Sequence, residues 1–336
     1  MKKMSDTSVE MPDNMTNRPL VTFALFAYNQ EKYIRQAVEG ALSQTYEPME
    51  IILSDDCSSD RTYTIMKEMV ETYSGRHSIV LRRNKRNIGL AAHFNEVIKH
   101  SMGEIIIIAA GDDISFSSRT DDSVRIFSKH PDVTAVLLSA DVINQNGEVV
   151  GFENISRDEY GERTQTLQDL TSWQHATFGA TRAIRKEVVV KFGPLQDECP
   201  TEDTPLLLRS LICGRNVLSP LKGIQYRKHD NNLSSAASLA RMNTDEIYAQ
   251  YRRDISMAKT IGLIGTDEVK QLLDWVVRDQ KVRFFRQKIN SGEELGIAEV
   301  HFVVCHPAFG GRAKLKTVMQ KIKSFSETVV RRWRGQ

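Results

Sequence analysis

Residues 104–113 read EIIIIAAGDD, and this stretch decides the fold. A short, unbroken apolar run between Gly103 and Gly111 is the pattern of a strand buried on both faces. It stops at two adjacent carboxylates, Asp112 and Asp113. Working upstream, Leu20–Ala27 (LVTFALFA), Glu50–Ser54 (EIILS) and Ser78–Leu81 repeat the short apolar strand. Between them, Glu31–Thr45, Arg61–Tyr73 and Leu90–His100 are predicted helices. Their apolar residues recur at helical spacing, as in Ile34, Val38, Ala41 and Leu42. Strands alternating with helices imply right-handed crossovers and a mostly parallel sheet flanked by helices, so the class is α/β and Rossmann-like.

Downstream, Ser118–Lys129 is a predicted helix stopped by Pro131, and Val133–Ala140 a fifth strand. Asn146-Gly147 marks a turn into Glu148–Phe152. Ala176–Ile184 is expected as a strand, Asp203–Cys213 as a helix, and Val217 and Gly223–Arg227 as two short strands. Beyond about residue 238 only helical patterns remain. We place a boundary near residue 235, with a disordered leader at 1–18 and a helical C-terminal appendage at 236–336.

The composition narrows the function. Forty-five basic and 43 acidic side chains leave a net charge of +2, which argues against a dedicated nucleic-acid binder. Residues 311–336 hold eight Lys/Arg and one Glu, so a mildly acidic body carries a basic tail. The four cysteines form no C-x-x-C pair, and a reducing compartment is expected. No apolar run reaches the ~18 residues that would span a bilayer.

In an open parallel sheet, ligands bind beyond the carboxyl ends of the strands. Those exits hold Phe26-Ala27-Tyr28-Asn29, Asp55-Asp56-Cys57-Ser58-Ser59-Asp60, Asn87-Ile88-Gly89 and Gly111-Asp112-Asp113. Adjacent carboxylates repel unless something offsets them. A hard divalent cation with oxygen ligands would do so at Asp112–Asp113, and a donor-rich nucleobase or ribose at Asp55–Asp56. Either pair taken alone is equally a helix cap. Together, on successive exits facing one crevice, they point to a ligand.

The set VTFALFAYNQ, EIILSDDCSSDRT, NIGLAAHFNEVI and GEIIIIAAGDD resembles the nucleotide-sugar half of a family 2 inverting glycosyltransferase with the GT-A fold. The resemblance covers about residues 19–235, with 19–115 as the nucleotide-sugar half and 116–235 as the acceptor half. It implies donor contacts at Phe26, Ala27, Tyr28, Asn29, Asp56, Asn87, Gly89, Asp112 and Asp113. It also implies a divalent metal, Mn²⁺ or Mg²⁺, on Asp113. Thr201-Glu202-Asp203-Thr204-Pro205 resembles the family's Glu-Asp element, so Asp203 is the expected general base with Glu202 beside it; the same residues also suit an ordinary helix start. Tyr226-Arg227-Lys228-His229 resembles the closing motif, with His229 as a further metal or phosphate contact and Arg227 or Lys228 neutralising phosphate charge. The family's frequent Pro-Thr and Asp-Asp-Gly-Ser are replaced here by Phe26-Ala27 and Asp55-Asp56-Cys57-Ser58.

The resemblance further implies transfer of one sugar from a nucleoside-diphosphate sugar, with UDP the expected carrier, to a glycan acceptor. Processive members carry Gln-x-x-Arg-Trp, whereas Arg332-Trp333 here follows Val329, so single addition is expected. Residues 312–334 pattern as a basic amphipathic helix, with Leu315, Val318, Met319, Ile322, Phe325 and Trp333 on one side. A helix packed on the body would show the same pattern. The membrane alternative implies a lipid-linked acceptor and a cytoplasmic protein held at the inner face of the cell membrane. Cell-surface polysaccharides such as O-antigen or capsule are the expected products, and the chain is compatible with an oligomer. An oxidoreductase would need G-x-G-x-x-G after the first strand and a P-loop enzyme G-K-[ST]; neither is present. A non-catalytic nucleotide-sugar-binding or membrane-scaffold protein is the remaining alternative.

Overall fold

The computed structural model describes residues 18–230, 232–311 and 313–321. The expected leader, apart from residue 18, therefore lies outside the described residues, as does the predicted tail helix beyond 321. Strands β1 (Val21–Ala27), β2 (Met49–Asp55), β3 (Ser78–Arg83) and β4 (Ile105–Ala110) pair in parallel in the order β3-β2-β1-β4. Helices α1 (Ile34–Leu42), α2 (Thr62–Glu71) and α3 (Leu90–His100) are the crossovers between them.

Neighbouring residues on these strands enter different cores. Ala24, Phe26, Ile52, Ile106 and Ile108 join one cluster, while Phe23, Leu25, Ile51, Ile105 and Ile107 join the other. A strand turns successive side chains to opposite faces. An unbroken run of isoleucines therefore suits a sheet that is covered twice.

The sheet continues through a short antiparallel insertion. Strand β5 (Ile114–Ser115) and helix α4 (Arg119–Lys129) lead to β6 (Val133–Ile143), then β7 (Val149–Glu153) and β8 (Arg163–Gln165). Helix α5 (Leu167–Thr171) precedes β9 (Arg182–Arg185), which runs antiparallel between β4 and β6. Helices α6 (Lys186–Phe192) and α7 (Asp203–Cys213) lead to β10 (Arg215–Arg227), parallel to β6.

Three expectations need correction here. The strand expected at Ala176–Ile184 begins only at Arg182, because Gly179–Thr181 winds into a 3₁₀ turn. Helix α6 was not among the expected elements; its three consecutive valines are weak helix formers, yet Val188, Val189 and Phe192 bury one helical face. The two short strands around Val217 and Gly223–Arg227 are one strand, β10, with register shifts between Ser219 and Ile224. Pro220 lies in that irregular stretch and cannot donate to the ladder.

Helices α8 (Ala236–Arg241), α9 (Thr244–Thr260), α10 (Thr266–Ser291) and α11 (Ile297–Cys305) follow. They are not free-standing. Ile247, Tyr251 and Ile255 of α9 and Leu272, Trp275 and Val276 of α10 share one core with Leu207, Leu208 and Leu211 of α7. Inside that core, Arg209 of α7 grips Asp254 of α9 with two hydrogen bonds of 2.9 Å, both side chains fully buried. Residues 313–321 are helical; Thr317 is buried, while Leu315 and Met319 are 64% and 59% exposed. No helix among the described residues is long and apolar enough to cross a membrane.

Candidate active site

The exits of β1, β2 and β4 and the loop after β3 meet along one rim. The Asp56 backbone N–H donates to the Ala27 carbonyl, which stitches the first two exits together. Asn29 sits at φ 51°, and its Oδ1 accepts from the Ser59 N–H at 2.9 Å, so this predicted donor residue ties loop to loop. Phe26 is buried against His93 and Phe94. Tyr28 is left open, 46% exposed, where its ring is free to cover a flat ligand.

Asp56 is almost wholly buried. Its Oδ1 accepts from Asn84 Nδ2 at 2.7 Å and from the Ile88 N–H at 3.1 Å, and its Oδ2 from the Gly89 N–H at 3.1 Å. Two carboxylate oxygens offer about four acceptor sites, so Oδ2 keeps one for a ligand. Gly89, at φ 84°, lets the loop turn its N–H inward at no steric cost. Asn87 is exposed and accepts from the same N–H at 3.1 Å. Beside this loop, burial pushes the His93 imidazole down to about 4, so the ring is neutral against Ser54.

The second acidic centre is assembled by topology. β5 pairs with β10 at Ile224 and Gln225, which carries Arg227 to Asp113. The Arg227 N–H donates to Asp113 Oδ1 at 2.8 Å. Burial, and then the adjacent Asp112, hold the Asp113 carboxyl well above the usual carboxylate range. Asp112 Oδ2 lies 2.9 Å from His229 Nε2 and 3.4 Å from Asn232 Nδ2. A divalent cation fits this donor set. It would remove the like-charge cost at Asp113, and it takes oxygen and imidazole ligands. Among the described residues no group of three or more His, Cys, Asp or Glu side chains is placed to hold a metal by itself.

Arg227 is a correction. Its guanidinium is buried and bonds the Asp112 carbonyl at 2.9 Å, Gln36 Oε1 at 2.7 Å and the carbonyls of Asn144 and Gln145. Tyr33 packs over it at 4.7 Å. It braces the acidic turn from behind, while His229 lines the cavity beside Asp112. A charged residue after a strand is legible in sequence; the direction it points is not.

Asp203 begins α7. Its Oδ1 and its carbonyl both accept from Arg182 Nη1 at 2.9 Å, and Arg182 is fully buried. The carboxylate lies over Gly179, where a Cβ would fall 1.5 Å from Oδ1. The 3₁₀ turn is therefore a seat that only glycine provides. Burial, and then the Asp203 charge, raise the Glu202 carboxyl to about 7, so Glu202 keeps its proton below neutrality. Two adjacent carboxyl groups with different environments give one neutral neighbour and one candidate base. Sequence reading missed Arg182, Gly179 and the buried Arg119 behind Asp113. The one available signal was an arginine inside the apolar stretch Ala180–Ile184.

Tyr28, Asp56, Asp113, His229, Glu202 and Asp203 line one cavity of about 1250 Å³. The glycosyl transferase family 2 profile matches residues 22–193, just over half of the chain. A putative glycosyltransferase of Bacillus subtilis strain 168, EpsE, is 35% identical over 149 residues, covering 44% of this chain and 48% of that protein. The chain thus spans about half the length of that curated relative. Staphylococcus aureus TarS 1–349 in complex with UDP superposes with a TM-score of 0.60 at 15% identity, over 89% of this chain and 88% of that one. The mannosyltransferase PcManGT of Pyrobaculum calidifontis, solved with GDP-Man and Mn²⁺, gives 0.56 at 17% identity, over 91% and 85%. The expected fold is therefore present, a GT-A architecture with C-terminal helices. With the motifs on the strand exits, the profile over residues 22–193 identifies the chain as a member of glycosyl transferase family 2.

Proposed function

We propose that the protein transfers a single sugar, with inversion, from a nucleoside-diphosphate sugar to a hydroxyl of a glycan acceptor. One observation carries the reading: Asp56, Asp113 and Asp203 open into the same cavity. On this reading Tyr28 covers the nucleobase and the remaining Asp56 Oδ2 site accepts one of its N–H groups. Asp112 and its partner His229 face the ribose and diphosphate. Asp113 would hold a divalent cation, with His229 at its edge, and the cation would offset charge on the departing diphosphate. Asp203 takes the proton of the attacking hydroxyl, held in place by Arg182 and Gly179. Protonated Glu202 adds no charge against it.

UDP is the proposed nucleotide. The UDP complex of TarS supports that choice, and the GDP-Man complex of PcManGT supports the wider class of nucleotide-linked donors. Thermal unfolding with UDP or GDP, each with and without Mn²⁺, tests the donor site. UDP with Mn²⁺ at 100 times its Kd is expected to stabilise by about 2.7 kcal/mol, with a smaller shift when EDTA is present. If no nucleotide shifts the transition with metal, the reading fails; binding without transfer would favour the scaffold alternative.

We further propose that the tail helix rests on the inner face of the membrane, which suits a lipid-linked acceptor for a polysaccharide such as O-antigen or capsule. The exposed Leu315 and Met319 support this. Removing residues 311–336 is expected to release the protein from sedimenting vesicles rich in phosphatidylglycerol. Equal sedimentation of both forms would refute it.

A further inference from the structure

The cavity does not end at Asp203. Its walls continue to Trp173, in the turn after α5, and to Trp275, Asp279, Arg283 and Arg286 of α10. At about 1250 Å³ it exceeds the ~300–1,000 Å³ of an ordinary small-molecule site, so space remains once a donor is seated. The two tryptophan rings lie 6.3 Å apart. The Trp275 indole N–H is buried and meets no acceptor among the described residues. A buried donor left in that state is costly, and a ligand oxygen would relieve it.

The charges at this end do not balance. Arg283 has its counter-ion, with Nε 2.6 Å from Asp279 Oδ2, and its Nη2 donates to the Tyr251 hydroxyl at 3.2 Å. Arg286 donates to the Ala308 carbonyl at 2.7 Å and has no carboxylate within ion-pair distance among the described residues. Arg278 and Lys314 likewise have no ion-pair partner among the described residues. Their combined field is felt by His306, which packs edge-on to Trp173 at 4.9 Å. Burial, and then Arg278, Arg286 and Lys314, hold that imidazole below its usual range. Asp279 acts on Arg286 but pairs with Arg283. An arginine with no ion pair of its own among the described residues, on a cavity wall beside two indoles, is suited to a planar or tetrahedral oxyanion on an otherwise apolar-faced ligand.

We propose that this end of the cavity is an acceptor subsite for an oxyanion, a phosphate or a carboxylate on the glycan that receives the sugar, with Arg286 as its cationic contact and Trp173 and Trp275 against the adjoining sugar. The inference rests on the glycosyl-transfer reading above. It makes the C-terminal helices part of the substrate site and gives them a part in acceptor choice.

Trp173 and Trp275 are two of the three tryptophans in the chain, so intrinsic fluorescence reports on the subsite. The full-length protein is titrated with phenyl phosphate, glucuronate and, as a neutral control, glucose. Each titration is run with saturating UDP and Mg²⁺, and again without them. One anion is expected to give a saturable change at least tenfold tighter than glucose. Preference for phenyl phosphate assigns a phosphate, and preference for glucuronate a carboxylate. Arg286→Gln should weaken that anion at least tenfold, while Arg286→Lys stays within about threefold and both variants unfold at the wild-type midpoint. Anions no tighter than glucose, or an unchanged affinity in Arg286→Gln, would overturn the proposal. Loss of UDP binding would instead count against the donor reading, because UDP and the anions are measured separately.

Discussion

Asp203→Asn is expected to lower kcat by about 10²–10⁴-fold, the usual contribution of a positioned base, while UDP affinity stays within twofold. The geometry separates the two effects. Asp203 opens α7, across the chain from the strand exits that would hold the nucleotide, and none of its hydrogen bonds touches Asp56 or Asp113. Asn keeps the shape and can still accept from Arg182, but it is not basic. Gly179→Ala should show the same signature in milder form. The added methyl would lie 1.5 Å from Asp203 Oδ1, so the carboxylate must move. A displacement near 1 Å costs on the order of 10²-fold when geometry controls the rate. Single-turnover rates and UDP titrations on both variants check this. An Asp203→Asn enzyme with wild-type kcat would remove Asp203 from the mechanism.

Asp254→Ala is expected to destabilise the fold by about 3–5 kcal/mol, because it leaves a buried arginine without its charge partner. Arg209 is fully buried, bonds Asp254 through two nitrogens and the Gly193 carbonyl through a third, and Gln250 completes the carboxylate at 2.8 Å. The pair joins α7 to α9, so its loss loosens the helix that carries Asp203. A fall in Tm on the order of 10 °C should follow. The double variant Arg209→Met with Asp254→Leu should recover much of the loss, since apolar replacement of a whole buried pair is often neutral. Urea denaturation of the single and double variants decides it, and a single variant within about 0.5 kcal/mol of wild type would contradict the argument.

Sequence reading nominates Asp56, Asp112 and Asp113 because adjacent carboxylates at the end of an apolar run are visible one residue at a time. Asp203 follows no apolar run, and only the resemblance of Thr201-Glu202-Asp203-Thr204-Pro205 to a family element singles it out. The same reading misplaced Arg227, whose charge is plain but whose side chain turns back to Gln36 and Asn144, residues 191 and 83 positions away. It missed helix α6 because three valines in a row are weak helix formers, whereas burial of Val188 and Phe192 against the sheet favours helix.

The sequence by itself determined the alternation of β1 to β4 with α1 to α3, the burial of β1, β2 and β4 on both faces, and the acidic residues at the strand exits. Those features depend on local periodicity and on where each apolar run stops. The tertiary structure alone decided the antiparallel β9 between β4 and β6, the Arg182 and Gly179 seat beneath Asp203, and the extension of the cavity to Arg286 on α10. Each of these joins segments far apart in the chain, and their meeting is set by how two cores close around one sheet rather than by any pattern within reach of a single helix or strand.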